Sequence, residues 1–183
     1  MRAISINPQT QEVNEIDIHL EANTVYTFFN SILVDELATL NEHVIYANAE
    51  ALSQKKKAYF IGEQLVVGDV LILGRQTFED VEASIPTDAL QTLVKYEVNK
   101  FYSDTLEILS STDVNLYRTF EVDANEQNIQ LNTEWVLYTF NLADDKTKDY
   151  FLTELKKAVA EKSDVEEFMK RMASLAIRSG AAA

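Results

Sequence analysis

Three of the four glycines in this chain lie within one short stretch, IGEQLVVGDVLILG, where a phosphate-binding loop could be sought. Gly62, Gly68 and Gly74 are separated by five residues each. A phosphate loop needs glycines close together, so that successive backbone N–H groups converge on one anion, and a helix must follow at once. Here the intervening residues are strand-like, no Gly-Lys-Ser/Thr follows, and Arg75 is the only nearby cation. The spacing predicts a strand meander in which Gly68-Asp69 makes a turn or bulge.

Three acidic clusters are candidates for metal coordination: Glu79-Asp80-Glu82, Glu121-Asp123-Glu126 and Asp144-Asp145-Asp149. A calcium loop requires oxygen ligands at regular offsets, an enabling glycine and a terminal glutamate, and none of the clusters has that pattern. They indicate instead a solvated loop or helical turn, a hairpin turn and a helix N-terminus, in that order. Two carboxylates could still meet in space for hydrolysis at ~5–9 Å, but the sequence singles out no pair. We therefore predict no metal and no cofactor.

The chain lacks the residues that nucleophilic catalysis and zinc binding usually require. The chain has no cysteine, only His19 and His43 as histidines, and no Gly-x-Ser-x-Gly motif. Zinc sites usually take several His or Cys ligands, and a catalytic serine needs a sharp turn and a base. Both histidines are interpreted as strand or strand-edge residues, and no catalytic residue is predicted. Lys55-Lys56-Lys57 is either a small anion-binding patch or, as we favour, a solvated loop.

Charge is the one unusual property of the composition. Thirty acids against sixteen Lys and Arg give a net charge of −14. Residues 1–145 carry 24 acids and 8 bases, whereas residues 146–183 carry 6 acids and 8 bases. A negative field repels nucleic-acid phosphate and favours a basic partner. The alternative is that the excess carboxylate only keeps the protein dispersed.

The first half of the chain predicts an antiparallel sheet with one helix. Residues 2–6 and 16–20 alternate around Asn7-Pro8-Gln9-Thr10, as in a β-hairpin. From Asn23 or Thr24 to Leu40 the apolar residues follow the 3.6-residue helix period. Residues 43–47 form a strand, residues 48–52 a turn, and residues 58–74 three further strands. The expected order is β-β-α-β-turn-β-β-β.

This half of the chain also shows a resemblance to a protein family. The order ISINPQTQEVNEIDI, TVYTFFNSIL and HVIYANAEALSQKKKAYFIGEQLVVGDVLILG resembles a family of small phage, prophage and plasmid proteins known as a domain of unknown function. The likeness covers residues 2 to about 74 and rests on element order, on Asn48-Ala49-Glu50 and on Gly68-Asp69. It brings no active site, and it implies a mobile-element accessory protein in a bacterial cytoplasm.

The second half predicts an α-β-β-α-α arrangement. A helix is expected from Thr87 to about Ser110, followed by strands at 114–122 and 132–142 around the turn 123–127. On the second strand Trp135, Tyr138 and Phe140 are core residues or, as the alternative, line a ligand pocket or an interface. Asp144 or Asp145 begins a helix to Ala160, and a capping box at Ser163–Glu166 begins a last one that ends at Ser179-Gly180. The fold class is α+β, with domains 1–83 and 84–180 and a cloning scar at Ala181–Ala183.

These observations favour a non-enzymatic acidic binding protein, with no membrane span and no direct nucleic-acid contact. The expected partner is a basic host protein. In the most specific form of this hypothesis, the chain imitates nucleic acid and so blocks a restriction or CRISPR effector. The residues expected to bind the partner are acidic: Asp35, Glu36, Glu42, Glu79, Asp80, Glu82, Glu121, Asp123, Glu126, Asp144, Asp145 and Asp149. Self-association through the locally basic C-terminal helices is a further possibility. The alternative function is a small-ligand or nucleotide-binding protein or an enzyme, using a pocket between the halves with an acidic pair or a tyrosine, Arg75 and Arg118.

Overall fold

A computed structural model describes residues 1–124 and 126–180, so the expected scar at Ala181–Ala183 lies outside the described residues. The fold is α+β, as the sequence predicts. The chain divides into two compact units, of which the first is Met1–Val98 and the second begins at Asn99. Each unit is described by itself below.

The first unit is built on antiparallel strand pairing. Its elements are β1 (Arg2–Asn7), β2 (Glu12–Asp17), α1 (Thr24–Phe29), β3 (Val34–Leu40), β4 (His43–Asn48), β5 (Ala58–Ile61), β6 (Gln64–Val67), β7 (Val70–Gln76), β8 (Glu79–Val81), α2 (Thr87–Leu93) and β9 (Val94–Lys95). The larger sheet has the order β2-β1-β7-β4-β3, with β8 paired to the end of β7. The smaller sheet has the order β6-β5-β9.

Both faces of the larger sheet are apolar. Successive side chains of a strand point to opposite faces, so the apolar residues of its strands are divided between two cores. One face contributes Ile4, Ile45 and Ile72 to a core that also contains Tyr59 of β5 and Leu90 of α2. The other face packs on α1 and the ends of the first hairpin, through Ala3, Val44, Leu71 and Leu73. The middle strands β1, β7 and β4 are therefore buried on both sides.

The boundary between the units follows from α2 and β9. We expected the first domain to end at residue 83, whereas the first unit extends to Val98. Leu90 of α2 is fully buried in the first core, and Val94 of β9 pairs with Ile61 of β5. Residues 84–98 therefore pack with the strands that precede them.

Local signals in the first half are largely confirmed, but the long helix ending at Leu40 is wrong. The strand from His43 and the three strands around the glycines are present, and so is the hairpin, although its second strand is Glu12–Asp17 rather than residues 16–20. The helix stops at Phe29, because Asn30 is left-handed with φ 49°. Val34–Leu40 is an edge strand paired with β4, and its register shifts between Glu36 and Thr39.

The second unit combines a hairpin with four helices within its described residues. They are α3 (Lys100–Leu109), β10 (Thr119–Ala124), β11 (Gln127–Asn132), α4 (Thr133–Asn141), α5 (Asp145–Ala160) and α6 (Val165–Arg178). Fully buried Phe151 of α5 lies 5.7 Å from Phe101, 4.6 Å from Phe140 and 5.7 Å from Phe168, measured between ring centroids. The helices thus meet on a cluster of aromatic rings.

Two predictions in the second half are wrong. The helix expected from Thr87 to Ser110 is interrupted by β9, and a new helix begins after Asn99, whose side chain accepts a hydrogen bond from the backbone N–H of Tyr102. The strand expected at 114–122 is found at Thr119–Ala124, the strand expected at 132–142 is helix α4, and the hairpin partner of β10 is Gln127–Asn132. The turn expected at 123–127 includes residue 125, which lies outside the described residues.

The last two helices are confirmed. Asp144 caps α5, and α6 ends at Arg178 with Ser179 as its C-cap. The cap of α6 is Asp164, one residue after the expected Ser163, because the Asp164 carboxylate accepts the backbone N–H of Glu167.

Candidate functional site

Five of the predicted partner-binding acids come together at one end of β7. We call Glu36, Glu42, Glu79, Asp80 and Glu82 the acidic end. In the sheet register Arg75 lies opposite Asp80 and Gln76 opposite Glu79. The backbone N–H of Arg75 donates to the carbonyl of Glu42 at 2.7 Å, and its guanidinium reaches Glu36. Three segments that are separate in sequence thus converge, because β4 and β8 both begin beside the end of β7 and β3 pairs with β4.

Arg75 organises the middle of the acidic end. Its Nε donates to Asp80 at 3.0 Å, and its two terminal nitrogens donate to the two carboxylate oxygens of Glu36 at 3.2 and 3.1 Å. The same guanidinium donates to the Tyr46 hydroxyl at 2.6 Å, and this hydroxyl donates to Asp80 at 2.8 Å. One cation is shared by two carboxylates, so the network retains one negative charge.

The electrostatics of this network favour a structural role. Burial raises the pKa of Tyr46 above its ordinary range, and the adjacent Asp80 carboxylate raises it further. Although burial opposes the charged form of Arg75, its hydrogen bonds to Glu36 and the charge of Asp80 raise its pKa. Tyr46 therefore stays neutral and Arg75 stays charged over the physiological range. These properties suit a fixed ion network, whereas a general base needs a pKa near the working pH.

Three carboxylates of the acidic end make no ion pair with other described residues, and one exposed aromatic ring lies in the same part of the unit. The carboxylates of Glu42, Glu79 and Glu82 make no ion pair within residues 1–124 and 126–180, and all three residues are exposed. In the turn from β7 to β8, immediately before Glu79, Phe78 is 91% exposed. The turn is held by Thr77 at a positive φ of 59°. An apolar ring is thus presented to solvent among carboxylates.

His43 anchors the segment that follows the acidic end. Its Nε2 accepts hydrogen bonds from the backbone N–H groups of Ser84 at 2.9 Å and Ile85 at 3.1 Å. Its Nδ1 faces the carbonyls of Leu40 at 3.0 Å and Asn41 at 2.7 Å, so Nδ1 carries the proton. The ring is buried and every nitrogen is used. The sequence placed His43 on a strand but gave no sign of this bridging role.

Arg2 holds the same segment from the other side. Its guanidinium donates to the carbonyl oxygens of Ala83 and Ile85 and pairs with Glu15 at 2.7 Å. The backbone N–H of Arg2 also reaches the Glu82 carboxylate at 3.3 Å. The acidic strand β8 is therefore fixed at its C-terminal end by side chains of β1 and β4.

Asp35 of the first unit lies outside the acidic end. It pairs in register with Ala47 and alternates with Glu36 along β3, so its side chain leaves the opposite face of the strand.

The other six predicted acids belong to the second unit. Glu121, Asp123 and Glu126 are exposed on the β10–β11 hairpin, where Glu121 accepts a hydrogen bond from Gln130 at 2.7 Å. On α5, Asp144 is the N-cap and Asp145 and Asp149 are exposed. Hydrogen bonds from the side chain and backbone of Thr147 lower the pKa of Asp144. Within this unit the acids therefore fall into a hairpin group and a helix-start group.

The residues named for the alternative of an enzyme or a small-ligand site are placed as follows. No group of three or more His, Asp or Glu among the described residues could hold a metal ion. Where a carboxyl pKa is clearly shifted, as in Asp17 and Asp144, it is lowered, whereas a general acid requires a raised one. Arg118, proposed from sequence as a ligand contact, lines a polar cavity of about 240 Å³ with Asp113 and Asp164.

Larger concave surfaces are present in both units. In the second unit, α4, α5 and α6 border a mostly apolar groove of about 470 Å³ lined by Phe140, Tyr150 and Leu175. In the first unit, a polar cavity of about 390 Å³ lies at the start of β7, away from the acidic end.

Comparison with protein-family models, with curated proteins and with solved structures found no match. The resemblance to mobile-element proteins therefore stays a prediction. No helix in the described part of the chain combines the length and apolarity needed to cross a membrane.

Proposed function

We propose that this chain is a non-enzymatic binding protein that docks its acidic end on a basic partner protein, with Phe78 as the apolar anchor. The observation that carries the proposal is the position of Phe78, which is 91% exposed at a fixed turn among three unpaired carboxylates. Aromatic side chains that fill a partner's pocket supply much of the energy of protein interfaces. The surrounding carboxylates would pair with basic residues at the rim of that pocket.

The net charge of the first unit also supports a basic partner protein. Residues 1–98 carry fifteen acids and six Lys and Arg, a net charge of −9. Two of the six cations, Arg2 and Arg75, are already paired with carboxylates inside the unit. The remaining field would steer a basic protein into contact and make association fast and salt-sensitive.

The partner class we favour is a basic, nucleic-acid-binding protein of the host. A strict nucleic-acid mimic needs carboxylates along one elongated face at phosphate-like spacing. In the larger sheet, acids occupy both outer strands, with Glu12, Glu15 and Asp17 on β2 and Asp35 and Glu36 on β3. This distribution favours docking through the acidic end over imitation of a continuous phosphate backbone.

A tagged pull-down from bacterial lysate over a salt series tests the proposal. We expect the captured protein to be basic and to elute as salt rises. Phe78→Ser should abolish capture, and Glu42→Gln with Glu79→Gln and Glu82→Gln should weaken it and flatten its salt dependence. Glu121→Gln with Asp123→Asn, on the exposed hairpin of the second unit, is the matched control. Capture that survives both sets of changes at the acidic end would exclude this surface as the docking site.

Self-association through the second unit is a second candidate, supported by its apolar groove. Tyr150 and Leu175 line this groove and are 49% and 44% exposed, and Leu142, the C-cap of α4 next to the lining residue Ala143, is 65% exposed. Light scattering after size exclusion should give a dimer mass that Leu142→Ser with Leu175→Ser reduces to that of a monomer. A wild-type monomer at all concentrations would exclude this role.

A further inference from the structure

The polar cavity of the first unit lies at the opposite end of β7 from the acidic end. Asp69, the residue before β7, lines it, whereas Arg75 lies near the other end of that strand. Its volume of about 390 Å³ falls within the range of ~300–1,000 Å³ that is usual for small-molecule sites. Its lining is polar and charged on the sheet side and aromatic on the side of α1.

Strand register brings the polar side chains together. Ser5 of β1 pairs with Asn14 of β2 and with Leu71 of β7. Asn7, two residues further on β1, pairs with Glu12, and Asp69 extends β7 to the same end of the sheet. The cavity floor therefore consists of short polar side chains from three adjacent strands.

Gly68 brings the basic loop to this floor. Its φ is +81°, and a Cβ at this position would lie 2.9 Å from the Cβ of Ala51 and 3.4 Å from the Cβ of Lys56. The loop thus approaches the backbone where only glycine leaves space, and it is closed by a hydrogen bond from the Lys56 N–H to the Ala51 carbonyl at 3.0 Å. This approach places Lys56 in the same cavity as Asp69.

In the described part of the chain, the charged side chains that line the cavity do not form ion pairs with one another. Within residues 1–124 and 126–180, Lys56 and Asp69 make no ion pair, and Glu12 accepts only the Thr10 hydroxyl, at 3.0 Å. Groups of opposite charge that line one cavity without pairing can each take a complementary group of a bound molecule. A ligand with both an ammonium and a carboxylate would satisfy both signs.

The remaining wall is apolar. Phe28 and Phe29 of α1 line the cavity, with ring centroids 4.8 Å apart and planes at 87°. Aromatic rings are a suitable surface for an apolar substituent. The cavity therefore combines a cation, two carboxylates and an aromatic wall.

We propose that this cavity binds a small zwitterion with an apolar substituent, namely an α-amino acid with an apolar side chain. The ligand carboxylate lies toward Lys56, its ammonium toward Asp69 and Glu12, and its side chain against Phe28 and Phe29. A nucleotide is a poor fit, because its phosphates would face two carboxylates and one lysine. A neutral sugar would leave the charged groups without partners. The inference does not depend on the proposed docking function.

Titration of the ¹⁵N-labelled full chain with L-phenylalanine, followed by ¹H–¹⁵N correlation spectra, tests the proposal. The amide signals of Ser5, Asn14, Lys56 and Asp69 should shift in a saturable manner. Phenylacetate lacks the ammonium, and 2-phenylethylamine lacks the carboxylate. Each should bind more weakly, by up to about fivefold, since a partly exposed charge pair contributes up to ~1 kcal/mol. Glucose at equal concentration should leave these signals in place.

Variants assign the two charged contacts. Asp69→Asn should weaken L-phenylalanine but not phenylacetate, and Lys56→Met should weaken L-phenylalanine but not 2-phenylethylamine. Lys55→Met is the matched control, because Lys55 is in the same loop but does not line the cavity. Absence of shifts with L-phenylalanine, equal binding of all three aromatic probes, or shifts with glucose alone would each overturn the proposal.

Discussion

Replacing Gly74 with alanine tests how the acidic end is assembled. Gly74 lies inside β7 opposite Val81, and its φ is outside the left-handed region. Alanine would therefore be acceptable to the backbone. Its Cβ, however, would overlap the backbone oxygen of Glu82 and lie 2.9 Å from Cγ2 of Val81. Because the obstacle is backbone, β8 has to move away from β7.

The size of the destabilisation caused by Gly74→Ala follows from the contacts that β8 and the residues after it make. A glycine-to-alanine change at a permitted φ stabilises a protein by ~0.4–1 kcal/mol through the unfolded chain. Overpacking costs ~1–3 kcal/mol, and each hydrogen bond that is lost costs ~0.5–1.5 kcal/mol. The bonds at risk are those that His43 accepts from Ser84 and Ile85. We expect a net loss of about 2–4 kcal/mol in the free energy of unfolding.

Urea denaturation followed by amide signals of Ile45 and Ile72 measures this loss in the first core. Gly62→Ala is the control, because Gly62 has φ +62° and no atom within 4 Å of an added Cβ. It should cost only the ~1–2 kcal/mol of a left-handed alanine. If Gly74→Ala proved as stable as the wild type, the close approach of the Glu82 backbone to Gly74 would be refuted.

Three further predictions concern single contacts. Arg75→Met should lower the free energy of unfolding by about 2–3 kcal/mol, because it leaves a partly buried carboxylate uncompensated, and adding Asp80→Asn should recover part of the loss in a urea double-mutant cycle. Asn132→Ala should cost about 1 kcal/mol by removing the cap that accepts the backbone N–H of Trp135 at 2.8 Å, and urea denaturation followed by the fluorescence of the single tryptophan measures it. Burial and the charge of Glu134 raise the pKa of Tyr102 from 10.0 to about 12, so its contribution to stability is present below pH 10 and is lost as pH rises toward 12. Tyr102→Phe should accordingly flatten the alkaline loss of stability and remove one late-ionising tyrosine from the ultraviolet titration, and an unchanged pH profile would contradict the assignment.

The parts of the fold that sequence predicted are those with local signals. The first hairpin alternates in polarity around a proline-containing turn, α5 begins at the predicted Asp144 cap, and α6 begins within the predicted capping box, although at Asp164 rather than Ser163. The strands at residues 58–76 were recognised from β-branched runs between glycines. In each case residues close in sequence supply the determining interaction.

The errors arose where tertiary pairing overrides local preference. Residues 34–40, VDELATL, have good helix formers, yet they pair with β4 through a two-residue turn in which Asn41 and Glu42 have φ 46° and 64°. Asn30 and Asn41, both tolerant of the left-handed region, were the overlooked signals.

Residues 133–141 show the reverse error. Their aromatic and β-branched composition favours a strand. Their buried positions Thr133, Val136, Leu137 and Phe140 nevertheless follow the i, i+3, i+4, i+7 spacing of a helix, with Asn132 as its cap. Reading the cap together with that spacing would have identified α4.

The two candidate sites could not be located from sequence, because each depends on which strands lie beside β7. The glycine spacing did mark them, although for a reason other than phosphate binding. Gly68 precedes β7 and Gly74 lies near its end, and each is a place where another segment crosses too closely for a side chain. At Gly68 the crossing loop carries Lys56 to the cavity, and at Gly74 the crossing residues follow the acidic strand β8. Because different segments cross at the two ends, substitution of Gly68 should disturb ligand binding in the cavity, and substitution of Gly74 should disturb docking through the acidic end.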